Sequence, residues 1–493
     1  MESINNFLNH LDNWVWGIPL IALILIVGIG LTVKLKGLQF RHLPKAFRLM
    51  MKKEGGEGEV SSFGALCTAL SSTVGTGNIV GVATAISVGG PGALFWMVLA
   101  ACFGMATKYA EATLAVRYRS VNSEGHVLGG PFYYIERGMK EKFGHNFKWL
   151  AILFAVFGSL AGLLGIGTMT QINSITSGIQ SFFDPQNTNT FILFGKSYSW
   201  TIAIAALVIT AFIALIIIGG LKRISAVAEK IIPIMFFIYI LSGLYVICFN
   251  ASNLSNTFGQ IFSGAFHGMA AAGGFTGATV SLAIQKGIAR GIFSNEAGLG
   301  SAPIAAAAGK VKYPSQQGLV SMLGTFFDTI LICNITGLCI ISSGAYQVKG
   351  LAGYTVTNYA FQKAFFFAPQ IASFILMLCL TLFAFTTIMG WNYYGTRCVE
   401  YLTKNKKAVI AYNWIYVIAV LIGPFLTLKA VWTIADILNG LMAFPNLIAL
   451  FCLSGVVVGE TNRFMDYLKK HPDFLKISRK SIRKKQAQNI GKR

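Results

Sequence analysis

The stretch Ser71–Gly81, with the sequence SSTVGTGNIVG, lies inside an apolar segment and places three glycines within seven residues. Glycine and hydroxyl-bearing residues are poor helix formers. In lipid, every backbone N–H and C=O group needs a partner inside the protein, and non-helical backbone is tolerated only where it is buried or lines a cavity. The stretch therefore predicts a purposeful interruption of a membrane-spanning helix. Close helix packing through small residues is the alternative interpretation.

The composition is that of an integral membrane protein. The chain has 493 residues, of which 54% are hydrophobic and 12% are charged, and its mean hydropathy is +0.62. Soluble domains carry about 25% charged residues. The net charge of +22 comes from basic residues that cluster between apolar segments, which favours membrane topology over nucleic-acid binding. The eight cysteines show no metal-ligand spacing and are interpreted as small buried hydrophobes.

The apolar segments predict an all-α protein, because a membrane-spanning helix needs about 20 mostly apolar residues. We predict about eleven spans on this criterion, at 15–34, 62–88, 91–116, 148–182, 199–220, 225–249, 258–284, 316–346, 368–400, 408–428 and 431–458. The fourth and ninth are long enough to tilt or to extend beyond the bilayer.

The basic residues predict how these spans are oriented. Seven Lys or Arg lie in 34–61, six in 117–148 and eleven after residue 458, whereas 250–257 has none. Cytoplasmic loops are enriched in Lys and Arg. We therefore expect a multi-pass protein of the cell inner membrane, with its N-terminus outside and a cytoplasmic C-terminal tail that contacts lipid headgroups.

A second glycine-rich segment, Ala270–Gly277, lies in the predicted seventh span. Corresponding interrupted segments in two inverted halves indicate the binding site of a transporter. We therefore predict four regions: an N-terminal peripheral helix and cytoplasmic loop, two inverted five-helix repeats, and a basic tail. Their boundaries are 1–61, 62–249, 250–458 and 459–493. At such interruptions, free N–H groups suit a carboxylate, and free carbonyl groups suit an ammonium group or Na⁺.

Three motifs in the chain resemble those of a known family. They are Thr76–Gly81 (TGNIVG), Gly89–Met97 (GGPGALFWM) and Phe293–Pro303 (FSNEAGLGSAP). In this order they resemble the alanine or glycine:cation symporters, with one departure at Val98, where the family usually has a second tryptophan. The resemblance implies a five-plus-five inverted-repeat core of the LeuT type with discontinuous helices. It also implies uptake of small amino acids, coupled to Na⁺ or H⁺.

The resemblance also implies which residues bind substrate. The backbone of Val74–Gly77 is expected to hold the carboxylate and the amine, together with carbonyl groups near 271–275. Thr387 and Trp391 share a helix face, and Trp391 with Phe275 is expected to limit the side-chain volume of the substrate. The complete predicted set is Val74, Gly75, Thr76, Gly77, Asn78, Gln171, Phe275, Thr387 and Trp391. An interhelical hydrogen bond for Gln171 and simple packing for Trp391 are the alternatives.

A Na⁺ site is implied in the same region. Na⁺ is a hard cation that favours oxygen ligands. The expected ligands are the carbonyl groups of Ser71, Val74 and Phe383 and the hydroxyl groups of Thr386 and Thr387. Apart from this coupling ion we expect no cofactor.

Several polar residues have two interpretations each. Asp328 takes part in proton coupling or pairs with another polar group such as Asn334. Lys108 and Glu111, three residues apart, are expected to form a structural pair. The other candidates are an inner gate or loop bracing at Arg290, Asn295 and Glu296, and a pH-sensitive or simply packed histidine at His267.

The function expected from these observations is Na⁺-coupled import of alanine or glycine by alternating access, by a monomer. A H⁺-coupled symporter or one for larger, glutamine-like substrates is the alternative, and an ion channel is a remote one. We expect no enzyme, because the sequence has no G-x-x-x-x-G-K-[ST], H-E-x-x-H or G-x-S-x-G motif.

Overall fold

The computed structural model describes residues 2–52, 55–121, 126–193, 195–267, 279–426 and 428–475. Its helices are α1 (Glu2–Val15), α2 (Ile18–Lys34), α3 (Leu38–Arg41), α4 (Leu43–Met50), α5 (Ser62–Thr73), α6 (Val80–Gly89), α7 (Gly92–Arg117), α8 (Pro131–Tyr133), α9 (Met139–Phe143), α10 (Lys148–Leu164), α11 (Met169–Phe183), α12 (Trp200–Ile217), α13 (Gly220–Phe249), α14 (Leu254–Phe266), α15 (Val280–Asn295), α16 (Ala302–Ala306), α17 (Pro314–Thr325), α18 (Asn334–Ser343), α19 (Tyr354–Ala364), α20 (Pro369–Thr403), α21 (Lys406–Ile422) and α22 (Leu428–Lys470). Two π-helical segments, Tyr134–Gly138 and Phe326–Cys333, continue α8 and α17.

Only two small sheets occur in the described part of the chain. Strands β1 (Ser120–Val121) and β2 (Val127–Leu128) form one antiparallel pair, and β3 (Thr190–Leu193) and β4 (Lys196–Ser199) form the other. Ser199 Oγ and Thr188 N donate hydrogen bonds to Asp184, and they hold the pKa of this carboxyl below its usual range. The prediction of an all-α protein is confirmed, because these hairpins lie between helices and not in the core.

Nine helical segments of the described residues are long and apolar enough to cross a membrane, or ten if the bent pair α5–α6 counts as one span. Exposed apolar side chains such as Leu207, Phe237 and Ile418 cover the outer faces of α12, α13 and α21. A water-soluble protein rarely exposes so continuous an apolar surface. The predicted number of eleven is not confirmed among the described residues, and the predicted seventh span includes residues 268–278, which lie outside them.

The predicted interruption in the second span is present. Helix α5 ends at Thr73, a 3₁₀ turn covers Thr76–Asn78, and α6 begins at Val80 at an angle of 64° to α5. A fourth-span interruption was not predicted: α10 ends at Leu164 and α11 begins at Met169.

Helix α15, a second interruption and α16 together cross the bundle in the direction opposite to α5 and α6. At the start of α15, a methyl group added to Gly89 would lie 3.3 Å from Ala283 Cα. Past the end of α16, Glu59 N donates to Ala308 O at 2.8 Å, close to the start of α5. We call these two ends of the bundle the Gly89 end and the basic end, because the basic segment 34–61 leads into the latter.

The second interruption occupies 296–301, between α15 and α16. Glu296, Gly298 and Gly300 have positive φ angles of 57°, 91° and 81°. The left-handed region is readily adopted by glycine and costs energy for glutamate. The whole segment 291–309 is buried. This segment is therefore a buried interruption between α15 and α16 and not an exposed loop.

The interruption at 296–301 was not predicted from the sequence. The glycine-rich segment 270–277, with Phe275, lies outside the described residues, but both of its flanks lie at the Gly89 end. Trp96 Nε1 donates to Ala265 O of α14 at 3.2 Å, and α15 starts beside Gly89. The predicted interruption at 270–277 therefore stays a prediction.

The predicted region boundaries remain predictions, although two features bear on them. The boundary at 249 coincides with the end of α13 at Phe249, whereas the boundary at 458 falls inside α22, which continues to Lys470. Residues 476–493 of the predicted basic tail lie outside the description.

Candidate functional site

The first interruption removes backbone groups from helical hydrogen bonding. The last α-helical bond of α5 runs from Val74 N to Leu70 O at 2.9 Å. Gly75 N donates instead to Asn78 Oδ1 at 2.8 Å, and Thr76 N donates to Gln171 Oε1 at 3.1 Å. The final carbonyl groups of a helix need other partners. The carbonyl groups of the last turn of α5 are therefore available to a ligand.

Gly75 lies where no side chain fits. A methyl group added to it would lie 2.5 Å from Thr387 Oγ1 and 3.0 Å from Gln171 Oε1. At Gly77, an added methyl group would lie 3.2 Å from Ser294 Cα of α15. The two interruptions therefore approach each other through glycine at the middle of the bundle.

Two further predicted residues contribute polar groups here. Gln171 accepts from Thr76 N and donates from Nε2 to Ile166 O at 3.0 Å, across the interruption between α10 and α11. Thr76 Oγ1 is buried and has no hydrogen-bond partner among the described residues. Buried hydroxyl groups are normally paired, so Thr76 is suited to contact a bound ligand.

The five predicted cation ligands lie on two packed helices, with Ser71 and Val74 at the end of α5 and Phe383, Thr386 and Thr387 on α20. Thr387 Oγ1 donates to Val74 O at 3.2 Å and to Phe383 O at 3.0 Å, and Thr386 Oγ1 donates to Phe383 O at 2.9 Å. Ser71 packs on the same helix, since a methyl group added to Gly390 would lie 2.8 Å from Ser71 Oγ. Carbonyl and hydroxyl oxygens thus converge between α5 and α20, as a hard cation requires.

Asp328 joins the two interrupted elements. Its Oδ1 accepts from Asn78 Nδ2 at 2.7 Å, and Ser294 Oγ of α15 donates to its Oδ2 at 2.9 Å. Thr329 Oγ1 donates to the same Oδ2 at 2.6 Å. The predicted polar partner exists, although it is Asn78 and Ser294 and not Asn334.

Trp391 lies at the second interruption. Its buried indole donates from Nε1 to Glu296 Oε1 at 2.8 Å, and Ser301 Oγ donates to the other carboxylate oxygen of Glu296. A methyl group added to Gly167 would lie 2.6 Å from Trp391 Cβ. Trp391 thus contacts the segment that precedes Gln171 as well as the second interruption.

The FSNEAGLGSAP segment forms the second interruption, a role that was not predicted from the sequence. Glu111 of α7 accepts hydrogen bonds at Oε1 from Gly298 N and Gly300 N, both at 3.1 Å, and from Asn446 Nδ2 at 2.7 Å. Two glycines spaced by one residue after Asn295-Glu296 were the available signal. No ion pair within 4.0 Å joins Lys108 and Glu111 in the described part, so the predicted direct pair does not form.

Comparisons with known proteins bear on this geometry. The sequence profile described as the sodium:alanine symporter family matches residues 1–476. The chain belongs to this family. It is 44% identical over 470 residues to the sodium/alanine symporter AgcS of Methanococcus maripaludis, covering 94% of this chain and 98% of AgcS. It is 47% identical over 468 residues to an uncharacterized transporter of Haemophilus influenzae, covering 95% and 97% of the two chains.

A solved structure supports the fold of this family member. The crystal structure of MhsT in complex with L-phenylalanine matches with a TM-score of 0.54 and 14% identity, over 82% of this chain and 98% of MhsT. The predicted LeuT-type architecture is therefore confirmed. The prediction of a multi-pass membrane transporter rather than an enzyme is also confirmed, because the family is one of transporters.

The transporter also has a cavity of 1120 Å³ that reaches the basic end. Its lining includes Asn392 and Tyr393, which directly follow Trp391 on α20, and the ion-paired Arg397 and Glu59. None of the predicted site residues lines it. It is therefore separate from the candidate site, although it begins one residue from Trp391.

The structure places two further polar residues that the sequence singled out. Arg290 is on the Gly89 side of the second interruption, where its guanidinium contacts Asp436 of α22 at 2.8 Å and 3.2 Å. Its role in an inner gate or in loop bracing stays a prediction. His267 is exposed at the end of α14, so it is not packed among the described residues.

We expect Arg290→Ala to lower the thermal unfolding midpoint of the purified transporter by several degrees. The pair is largely buried, with side chains 19% and 11% exposed. Removing one partner of a buried pair costs about 3–5 kcal/mol, which we reduce to about 2 kcal/mol for the remaining exposure. Lys469→Ala is the control, because its pair with Asp466 is 79% and 63% exposed. Equal midpoints in both variants would contradict this expectation.

Proposed function

We propose that the protein is a secondary active transporter that imports alanine or glycine together with Na⁺ by alternating access. The main support for this proposal is the arrangement of two interrupted helical elements that run in opposite directions. They approach each other at the middle of the bundle, where glycines leave room for close contact. Such interruptions offer unpaired backbone dipoles to a zwitterion. The name of the family and that of AgcS further support an amino acid and sodium as the transported pair.

We assign the substrate to the first interruption. Backbone groups of Val74–Gly77 hold the carboxylate and the amine, with Thr76 Oγ1 as an additional polar contact. Asn78 and Gln171 orient this backbone, because they accept from Gly75 N and Thr76 N. Thr387 borders both substrate and cation. Phe275 remains a predicted contact outside the described residues.

Na⁺ is proposed to bind between α5 and α20. Its ligands are the carbonyl oxygens of Ser71, Val74 and Phe383 and the hydroxyl oxygens of Thr386 and Thr387. The shared hydrogen bonds of Thr387 Oγ1 support this assignment, because they already bring oxygens of both helices together. Na⁺ at this position has ligands from both helices, so it binds only when both helices are in place.

Alanine uptake into proteoliposomes tests the proposed function. An inward Na⁺ gradient should drive accumulation of labelled alanine, and excess unlabelled glycine should compete. Accumulation that ignores the Na⁺ gradient but follows a pH gradient would favour the H⁺-coupled alternative. An ionic current that does not saturate as the amino-acid concentration rises would favour a channel.

We expect Trp391→Ala to shift preference toward larger amino acids such as glutamine. Trp391 is fully buried between Gly167 and Glu296, so its loss leaves space beside the substrate. The measurement is competition of labelled alanine by amino acids of increasing size. Trp414→Ala on α21 is the control, because that indole is 58% exposed. An unchanged competition profile in Trp391→Ala would show that Trp391 does not limit substrate size.

The orientation and the oligomeric state are also proposed. We expect the basic end to face the cytoplasm, the N-terminus to lie outside and the protein to act as a monomer. A cysteine introduced in 190–199 should react with an impermeant reagent added to intact cells, whereas one introduced in 34–61 should not. The opposite labelling pattern would invert the topology.

A further inference from the structure

Four charged side chains are buried near the two interruptions: Lys108, Glu111, Glu296 and Asp328. Their exposed fractions are 3%, 0%, 0% and 0%. Three carboxylates and one ammonium leave an excess of two negative charges if all four are ionised. Burying uncompensated charge costs several kcal/mol per ion, so at least one member of this cluster needs a further positive partner.

Two of the three carboxylates have hydrogen-bond donors on both oxygens. Asp328 accepts from Asn78, Ser294 and Thr329. Glu296 accepts from Trp391 Nε1 on one oxygen and from Ser301 Oγ on the other. Hydrogen bonds to a carboxylate stabilise its ionised form. Neither Asp328 nor Glu296 therefore has an oxygen left bare for a proton.

Glu111 differs, because only one of its two carboxylate oxygens has hydrogen-bond donors. Oε1 accepts from Gly298 N, Gly300 N and Asn446 Nδ2, whereas Oε2 is buried without a hydrogen-bond partner among the described residues. Lys108 Nζ, one helical turn away on α7, is also buried and unpartnered there. An ionised Glu111 thus has a buried carboxylate oxygen without a hydrogen-bond donor, and this costs free energy because Lys108 does not reach it.

We propose that Glu111 Oε2 is a proton-binding site of this transporter, separate from the cation site at Thr387. The inference rests on the proposed function, which it deepens by adding a second coupling ion. A proton bound at Oε2 forms a neutral carboxylic acid and removes one of the two excess negative charges of the cluster. When the proton leaves to water, Lys108 Nζ remains an ammonium group and compensates the new carboxylate charge.

The site is linked to the transport machinery through Oε1. This oxygen holds the amides of Gly298 and Gly300, which shape the second interruption. Hydrogen bonds to an ionised acceptor are roughly twice as strong as those to a neutral one. Proton binding therefore loosens the second interruption, and proton release tightens it, which is the differential interaction that coupling requires.

The titratable and charged groups that face Glu111 come from several elements. They are Lys108 of α7, Tyr134 and Tyr394, and Lys108 in turn faces Glu296 of the second interruption and Asp328 of the π-helical segment. Tyr134 donates to Asn446, which in turn donates to Glu111. Among these groups, Lys108 is the only cation, so its charge opposes proton binding while its distance from Oε2 prevents a direct bond.

The test uses proteoliposomes with equal Na⁺ on both sides and a pH-sensitive dye inside. In the wild-type protein, an acid step outside should speed alanine uptake several-fold, with acidification of the lumen. Glu111→Gln keeps a carbonyl oxygen for Gly298 and Gly300 but is permanently neutral. We expect it to lose the response to the acid step and to retain alanine exchange without a gradient. Glu460→Gln, which removes the negative charge that faces Arg117, should respond like the wild type.

Two results overturn the proposal. One is a normal acid-step response in Glu111→Gln, and the other is Na⁺-driven alanine uptake by the wild type without any proton movement. If Glu111→Gln loses all exchange, Glu111→Asp decides: its shortened acid should move the pH of half-maximal uptake, and an unmoved value overturns the proposal. If the wild type takes up no alanine, the proposed function fails. The site is then tested by the infrared carboxylic-acid band of the purified protein, which Glu111→Gln should remove.

Discussion

Gly75→Ala is expected to weaken alanine binding by roughly ten- to hundredfold, which corresponds to about 1–3 kcal/mol of overpacking. The added methyl group would lie 2.5 Å from Thr387 Oγ1 and 3.0 Å from Gln171 Oε1. Neither neighbour moves freely, because Thr387 is bonded to two carbonyl groups and Gln171 spans the interruption between α10 and α11. Binding of labelled alanine to purified protein measures the effect.

Gly81→Ala is the matched control for this substitution. Gly81 lies in α6 of the same interrupted element, and a methyl group added to it meets no atom within 4 Å. Alanine is also the better helix former at such a position. Gly81→Ala should therefore bind alanine normally. Normal affinity in Gly75→Ala, with the protein correctly inserted, would remove the first interruption from the substrate site.

The sequence was sufficient to predict the first interruption, for a physical reason. At Ser71–Gly81 the break lies inside one uninterrupted apolar segment, so its glycines and hydroxyl groups contrast with their surroundings. The proximity of Thr387 to Val74 was predicted only from the family resemblance. The hydrogen bond between them at 3.2 Å joins residues 313 positions apart, and no local pattern encodes such a contact.

The second interruption could not be located in the same way. Residues 296–301 lie in a less apolar segment with Lys286, Arg290 and Glu296 nearby, which resembles a loop when it is read in isolation. Its burial is made possible by distant residues, since Glu111 of α7 and Asn446 of α22 satisfy its backbone. The sequence shows the polar residues but not the helices that pair with them.

Thr387→Val is expected to raise the Na⁺ concentration for half-maximal alanine uptake by roughly ten- to hundredfold. Valine has nearly the shape of threonine, so the packing of α20 is kept while one proposed ligand oxygen is lost. Val74 O and Phe383 O also lose their shared donor. A buried acceptor without its partner costs about 1–3 kcal/mol, which supports an effect of this size.

Two further variants separate the hydroxyl group from its surroundings. Thr387→Ser keeps an oxygen at the same position and should keep most of the Na⁺ affinity. Thr403→Val makes the same chemical change at the exposed end of α20, where the hydroxyl donates to Val399 O and accepts from Asn405 N, and should leave Na⁺ dependence unchanged. If Thr387→Val matches Thr403→Val, the cation does not bind between α5 and α20. If Thr387→Val loses Na⁺ affinity and Thr387→Ser keeps it, the hydroxyl group contacts the ion, because threonine and serine share this group and valine lacks it.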